Sequence, residues 1–222
     1  MKNAIVLCSG GLDSVVTANY VKKCGYQNIK ILFFDYGQKT KNQEEKCSNK
    51  CALSLGAEFI KINLDWLGKI SNSLINKGKE FNELSEIDLK NTKEESKNWY
   101  VPCRNIVFLS SALSLAESLG GADIFVGFKL DAEGGYPDTT PEFVKRMNKV
   151  AEVCENKIKI LAPLIEKDKE DIVALGKELK VNFKDTHSCY VSDKHCGKCM
   201  ACQLRKAGFK WANVKDNTEY KD

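Results

Sequence analysis

The chain has 222 residues, 43% of them hydrophobic and 29% charged, and its 34 basic and 30 acidic side chains leave a net charge of +4. These values fit one globular domain with at most a small appendage, and they exclude disorder, a collagen-like chain and a disulfide-stapled miniprotein. The charge excess is too small for a dedicated nucleic-acid binder, no apolar run approaches the roughly 18 residues of a membrane span, and Ala4 to Leu7 is too short for a signal-peptide core, so a cytoplasmic protein is expected.

Asn3 to Leu7 is a short apolar run that ends in Cys8-Ser9-Gly10-Gly11, the pattern of a buried parallel strand entering a glycine turn. Leu12 to Lys23 has helical spacing, with Val15, Val16, Tyr20 and Val21 on one side and Gly25 as its stop. Ile29 to Phe34 reads as a second strand, Gln43 to Leu55 as a second helix stopped by Gly56, and Glu58 to Ile62 as a third strand. This alternation predicts an α/β fold with a doubly wound, mostly parallel sheet.

Asn72 to Asn98 is rich in Asn, Lys, Glu and Ser and reads as a surface insertion or mobile loop, with Lys93-Glu94-Glu95 as a solvated face. Asn105 to Leu119 returns to a helix pattern, and Asp123 to Phe128 to a strand. Pro141 to Cys154 reads as a helix, Ile158 to Leu161 as a short strand, and Asp168 to Leu179 as a helix with Asp168 as its cap. The tail after Val181 holds four of the ten cysteines and then a basic helix from Gln203 to Trp211.

The string Ser9-Gly10-Gly11-Leu12-Asp13-Ser14 lies between a predicted strand and a predicted helix. Glycines there let backbone N–H groups approach an anion, and the following helix points its positive end at the same place. It is neither a Walker loop nor a dinucleotide fingerprint. An acidic residue in a phosphate loop repels phosphate unless a cation lies between them, which makes Asp13 a candidate magnesium ligand. The bland alternative is a tight turn with no ligand.

Cys189, Cys196, Cys199 and Cys202 have a spacing that can close a tetrahedral zinc site with a structural role. A redox dithiol and an iron–sulfur cluster are the alternatives, and His187 and His195 are possible substitute ligands. Lys194, Lys198 and Arg205 are placed to offset thiolate charge. Arg104 precedes a helix and can pair with a phosphate or carboxylate, while Asn105 can cap that helix. Cys103 reads either as a reactive thiol or as a packing residue. The stretch from Asp131 to Asp138 follows a strand, so it is a substrate-loop candidate in which Tyr136 can stack on a flat heterocycle. Lys169, at a helix start, reads as a phosphate contact or as a solvated lysine.

The glycine string resembles the pyrophosphate loop of the PP-loop ATPases, which cleave ATP to AMP and pyrophosphate while adenylating an oxygen. Taken with Phe34 to Gln38, Val101 to Asn105, Phe108-Leu109-Ser110, Gly135 to Asp138, Lys169 with Asp171 to Gly176, Ser188-Cys189-Tyr190, and Cys196 to Cys202 with Leu204-Arg205, the chain resembles the 7-cyano-7-deazaguanine synthase family of queuosine precursor biosynthesis. The resemblance implies an ATP-dependent ligase that converts 7-carboxy-7-deazaguanine and ammonia to the nitrile through an adenylated acid and an adenylated amide. It implies ATP with magnesium at Cys8, Ser9, Gly10, Gly11, Leu12, Asp13 and Ser14, with Asp13, Arg104 and Lys169 as catalytic residues. Substrate contacts would come from Arg104, Asn105, Tyr136 and Asp138, and structural zinc would sit on Cys189, Cys196, Cys199 and Cys202. It implies an ATP-binding domain over 1–180, with 72–98 inserted, and a zinc-binding tail over 181–222. No stable nucleic-acid or membrane partner is expected, and a homodimer is left open.

Cys103 stands where the family often has glycine, and the loop before Tyr136 is longer by a residue. Asp138-Thr139-Thr140 also lacks the cysteine or basic residues common there. The competing readings are another PP-loop amide ligase, a tRNA thiolation enzyme using Cys103, and a zinc module that binds nucleic acid through Lys206, Lys210 and Trp211.

Overall fold

A computed structural model describes residues 2–78, 80–90, 92–129 and 135–221. Five strands, β1 (Asn3–Leu7), β2 (Asn28–Asp35), β3 (Glu58–Asn63), β4 (Asp123–Val126) and β5 (Ile160–Leu161), form one sheet in the order β3-β2-β1-β4-β5. Every pairing is parallel. Parallel strands need crossovers, and these are helical: α1 (Leu12–Lys23), α2 (Lys41–Leu55), α5 (Arg104–Ser118) and α6 (Pro141–Ala151).

Alternation along the strands sorts two cores onto the two faces. Ile5, Leu32 and Ile124 face one cluster with Leu109, Ala112, Leu113 and Ala116 of α5. Ala4, Val6, Ile31 and Phe125 face the other, with Val15, Ala18 and Val21 of α1 and Cys51, Ala52 and Leu55 of α2. A third cluster joins Leu12 and Val16 to Ile172 and Val173 of α7 (Lys169–Glu178) and Phe209 of α8 (Met200–Trp211).

Two short helices, α3 (Asp65–Ile70) and α4 (Lys93–Trp99), complete the set. Of the segment 72–98, read as a surface insertion or mobile loop, α4 is packed in place and Lys93-Glu94-Glu95 is not wholly a solvated face. Trp99 is 1% exposed and donates from Nε1 to Glu95 Oε1 at 2.7 Å. Glu95 is therefore buried rather than solvated, and it also accepts from Asn82 at 2.9 Å and Asn98 at 3.3 Å. Leu74 and Ile75 are buried as well, and the Leu84 N–H donates to Lys198 O at 2.8 Å, which fastens this segment to the C-terminal tail.

β1 runs beside both β2 and β4, so the chain leaves it toward opposite edges of the sheet. That is a topological switch point, and the crevice beyond the carboxyl ends of such strands is where ligands bind in open α/β sheets.

Candidate active site

A cleft of about 290 Å³ opens at the switch point. Cys8, Ser9, Gly11, Leu12, Asp13 and Ser14 line one wall. Gly10 does not line it. Its φ is +76°, and a Cβ there would lie 2.4 Å from Glu44 O and 2.7 Å from Cys47 Cβ, so glycine lets the turn press against α2. Gly11 occupies the N-cap position of α1 without a side-chain cap. The first N–H groups of a helix have no intrahelical partner, so this end is left open to an anion. Ser14 Oγ donates to Gly11 O at 3.1 Å and lies 3.4 Å from Ser9 Oγ, which fixes both hydroxyls on the loop. From the other side Gly127, after β4, approaches so closely that a Cβ would stand 3.0 Å from Ser14 N.

Lys169, the first residue of α7, reaches this wall. Its Nζ lies 2.8 Å from both Asp13 carboxylate oxygens. α7 begins with a capping box of Asp168 and Asp171, in which the Asp168 N–H donates to Asp171 Oδ2 at 3.2 Å.

Arg104, Asn105 and Tyr136 are also among the lining residues. Arg104 Nη1 donates to Tyr36 Oη at 3.0 Å, and its guanidinium lies 5.5 Å and 5.9 Å from the Tyr36 and Phe108 rings. Among the described residues this neutral hydroxyl is the only side-chain hydrogen-bond partner of the guanidinium, which makes no direct ion pair there, although the Asp138 and Glu44 carboxylates act on it from a distance. A half-buried cation with aromatic neighbours and no direct ion pair among the described residues is a ready anion site. Tyr136 is stacked on Tyr100 at 5.8 Å and 20°.

Two expectations change. Asn105 does not cap its helix: Cys103 holds the N-cap position with φ +54°, and the Asn105 N–H donates to Asp138 Oδ2 at 3.1 Å. Asn105 Nδ2 also donates to Asp138 O at 3.0 Å. Asp138 is buried behind the cleft wall and braces α5, so its carboxylate is not among the lining groups. Of the candidate substrate loop, 130–134, including Asp131 and Gly134, lies outside the described residues.

One lining residue, Glu44, carried no sequence signal of its own, and it is tied to others that did. Glu44 is buried, and burial pushes its carboxyl above the usual range; Thr40 Oγ1 donates to it at 2.6 Å and Gln38 Nε2 at 3.1 Å. Gln38 in turn accepts the Tyr36 N–H at 2.9 Å, which shapes the turn after β2. The hydrogen bond from Cys51 holds the Cys8 thiol down at about 7. Cys103 is exposed and does not line the cleft, so the structure offers no support for a sulfur carrier there.

The four tail cysteines converge, with all four sulfur atoms within 4.8 Å of one another. Backbone N–H groups supply the charge compensation expected of lysines: Val191 and Cys196 donate to Cys189 Sγ at 3.4 and 3.5 Å, and Cys199 donates to Cys196 Sγ at 3.3 Å. Lys198 instead pairs with Glu83 at 3.1 Å, and Arg205 turns elsewhere. Four such thiols do not ionise together without a cation. The bond from Cys196 pulls Cys189 down, and the bond to Cys189 pushes Cys202 up. The donor set fits a metal ion.

Arg205, 1% exposed, connects this cluster to the cleft. It donates to Thr186 Oγ1 at 2.8 Å, Ser188 Oγ at 3.1 Å and Phe183 O at 3.0 Å. The strap it holds passes under the glycine turn, where the His187 N–H donates to Gly10 O at 2.8 Å. Of the residues of the nucleic-acid reading, Lys210 is paired with Glu86, and Lys206 donates to Gly197 O at 3.0 Å.

The family model for queuosine biosynthesis protein QueC matches residues 3–213. The chain is 40% identical over 228 residues to the 7-cyano-7-deazaguanine synthase of Methanobrevibacter smithii, covering 100% of this chain and 99% of that one. It is 38% identical over 229 residues to the synthase of the same name from Methanocaldococcus jannaschii, covering 98% of each.

Proposed function

The chain belongs to the family of queuosine biosynthesis protein QueC, and from that membership we propose that it converts 7-carboxy-7-deazaguanine and ammonia to 7-cyano-7-deazaguanine, driven by ATP. The observation that carries this reading at the level of the site is one cleft shared by an uncapped helix N-terminus, the Asp13–Lys169 pair and an Arg104 that makes no direct ion pair among the described residues.

The chemistry proceeds in two activations. The substrate carboxylate attacks the α-phosphate of ATP, a P–O bond forms, and pyrophosphate leaves. Ammonia then attacks the acyl carbon, AMP leaves with one carboxylate oxygen, and a proton is lost to give the amide. The amide oxygen attacks a second ATP and pyrophosphate leaves again. Loss of the remaining N–H protons and of AMP, which carries off the second oxygen, gives the nitrile. No oxidant or reductant is needed.

In this reading the N–H groups at the start of α1, with Ser9 and Ser14, take the phosphate oxygens and the charge that grows on pyrophosphate. Lys169 moves from Asp13 to the phosphates, and Asp13 is then free for the magnesium that accompanies ATP. Magnesium, when bound, neutralises charge on the phosphates. Arg104 receives the substrate carboxylate through its planar fork, at the foot of the aromatic wall that includes Tyr136.

The four-cysteine cluster is the proposed zinc site. Four sulfur donors fill a tetrahedral shell, so the role is structural: to fasten 181–222, the proposed tail, to the 1–180 ATP-binding domain. No helix among the described residues is long and apolar enough to cross a membrane, and a cytoplasmic location is part of the proposal.

The test is mass spectrometry of a reaction containing the purified protein, the deazaguanine acid, ammonium and magnesium ATP. The nitrile and AMP are the expected products. AMP without nitrile would move the search to another acid, and neither product from folded protein would overturn the reading.

A further inference from the structure

Gly208 lies in the interior of α8, where glycine is among the least favourable residues. Its backbone is helical, so no unusual φ calls for glycine there. Space does. A Cβ at 208 would lie 2.3 Å from Lys169 Cγ, 3.2 Å from Lys169 Cβ and 3.3 Å from Lys169 O. The close atoms are the root of the lysine side chain and its backbone, not its flexible end. Gly176 of α7 differs, since a Cβ there would meet the ring of Phe183 and a methyl of Val16, which is apolar packing alone.

The Lys169 side chain is 12% exposed and spans from the start of α7 to Asp13 at the start of α1. Its stem runs through the notch that α8 leaves at Gly208. We infer that Gly208 is a positioning residue for Lys169: the missing side chain is the channel that aims the ammonium at the phosphate wall of the cleft. α8 starts in the four-cysteine cluster, with Cys199 at its N-cap and Cys202 in its first turn, so the cysteine knuckle sets where that channel lies. The inference rests on the reading of Lys169 as a phosphate contact, and it adds the element that places it. Any side chain at 208 forces the stem aside at Cγ, and the displacement grows toward Nζ.

The test uses the full-length, metal-loaded protein. Affinity for α,β-methylene-ATP with magnesium is measured by calorimetry, and thermal melting is recorded, for wild type, Gly208→Ala, Lys169→Ala and the double variant. Gly208→Ala is expected to weaken nucleotide binding about tenfold or more, the scale of one charge-assisted contact. The double variant should bind no more weakly than Lys169→Ala, because the stem that collides is already gone. The melting temperature lost in Gly208→Ala should be largely regained in the double variant. Wild-type affinity in Gly208→Ala, or losses that multiply in the double variant, would overturn the inference. Wild-type affinity in Lys169→Ala would defeat the phosphate role alone, and positioning would then stand or fall on the melting cycle. Should Gly208→Ala not fold, the double variant should, and its failure to fold would also overturn the inference.

Discussion

Asp13 and Lys169 are 156 positions apart in the chain, yet Lys169 Nζ sits 2.8 Å from each oxygen of the Asp13 carboxylate. The pair joins the first turn of α1 to the first turn of α7 across the mouth of the cleft. Each partner is a group that magnesium ATP can claim, the carboxylate for the cation and the ammonium for the phosphates. In the proposed reading the pair is a resting arrangement that nucleotide binding exchanges for a new one.

Asp13→Asn keeps the shape and removes the charge. A contact to a charged group contributes about 1.5–3 kcal/mol, so the magnesium concentration for half-maximal AMP formation should rise about tenfold or more. A magnesium titration at saturating acid checks this. An unchanged midpoint would remove Asp13 from cation binding.

Arg104 donates to a neutral Tyr36 hydroxyl and makes no direct ion pair among the described residues, so its substitution should be felt by the acid. Arg104→Met should raise KM for the acid about tenfold to a hundredfold and leave KM for ATP within about twofold. Arg104→Lys should recover little, because a point charge cannot reproduce a fork over two aromatic rings. Steady-state kinetics with each substrate varied in turn distinguishes this from a general loss of folding.

Cys103 has φ +54°, a conformation that costs an ordinary residue roughly 1–2 kcal/mol. Glycine does not pay that cost, though it is freer in the unfolded chain. Cys103→Gly should therefore stabilise the protein by about 1 kcal/mol, roughly 2–4 °C in melting temperature for a chain of this size. A drop in melting temperature would show that the thiol contributes packing that outweighs the backbone.

His195 accepts the Ser188 N–H at Nε2, 3.1 Å away, and this requires that nitrogen to be unprotonated. Burial, with Arg205 nearby, pushes its pKa down to about 4. The unfolded chain binds the proton near pH 6.5, so the unfolded state carries more protons between pH 6.5 and 4. Stability is fully present above pH 6.5 and is lost as the pH falls toward 4, on the order of 1–2 kcal/mol by pH 5. Denaturation at pH 7 and pH 5 should show a smaller loss for His195→Gln, which keeps an acceptor without the titration. Equal losses in both proteins would remove His195 as the cause.

The parts of the molecule legible in the sequence are those encoded locally. The glycine turn lies between an apolar strand and a periodic helix, and Cys196, Cys199 and Cys202 are close enough in the chain for spacing alone to predict convergence. What was misread depends on distant partners. The segment before α5 has few apolar residues, but Trp99, Leu74 and Ile75 are buried, and Glu95 is satisfied by Asn82, Asn98 and Trp99. Nothing local reveals that Asp138, 33 positions away, takes the Asn105 N–H and leaves Asn105 no capping role. Gly127 and Gly208 read as ordinary glycines until α1 and Lys169 are seen against them.

The most direct measurement follows oxygen. The acid is prepared with both carboxylate oxygens as oxygen-18 and turned over with ammonium and magnesium ATP, and AMP, pyrophosphate and nitrile are weighed by mass spectrometry. Two activations on one carbon predict two AMP per nitrile, each carrying one labelled oxygen, and unlabelled pyrophosphate. Nitrile formed with unlabelled AMP, or with the label in pyrophosphate or water, would contradict the proposed adenylation of the acid and then of the amide.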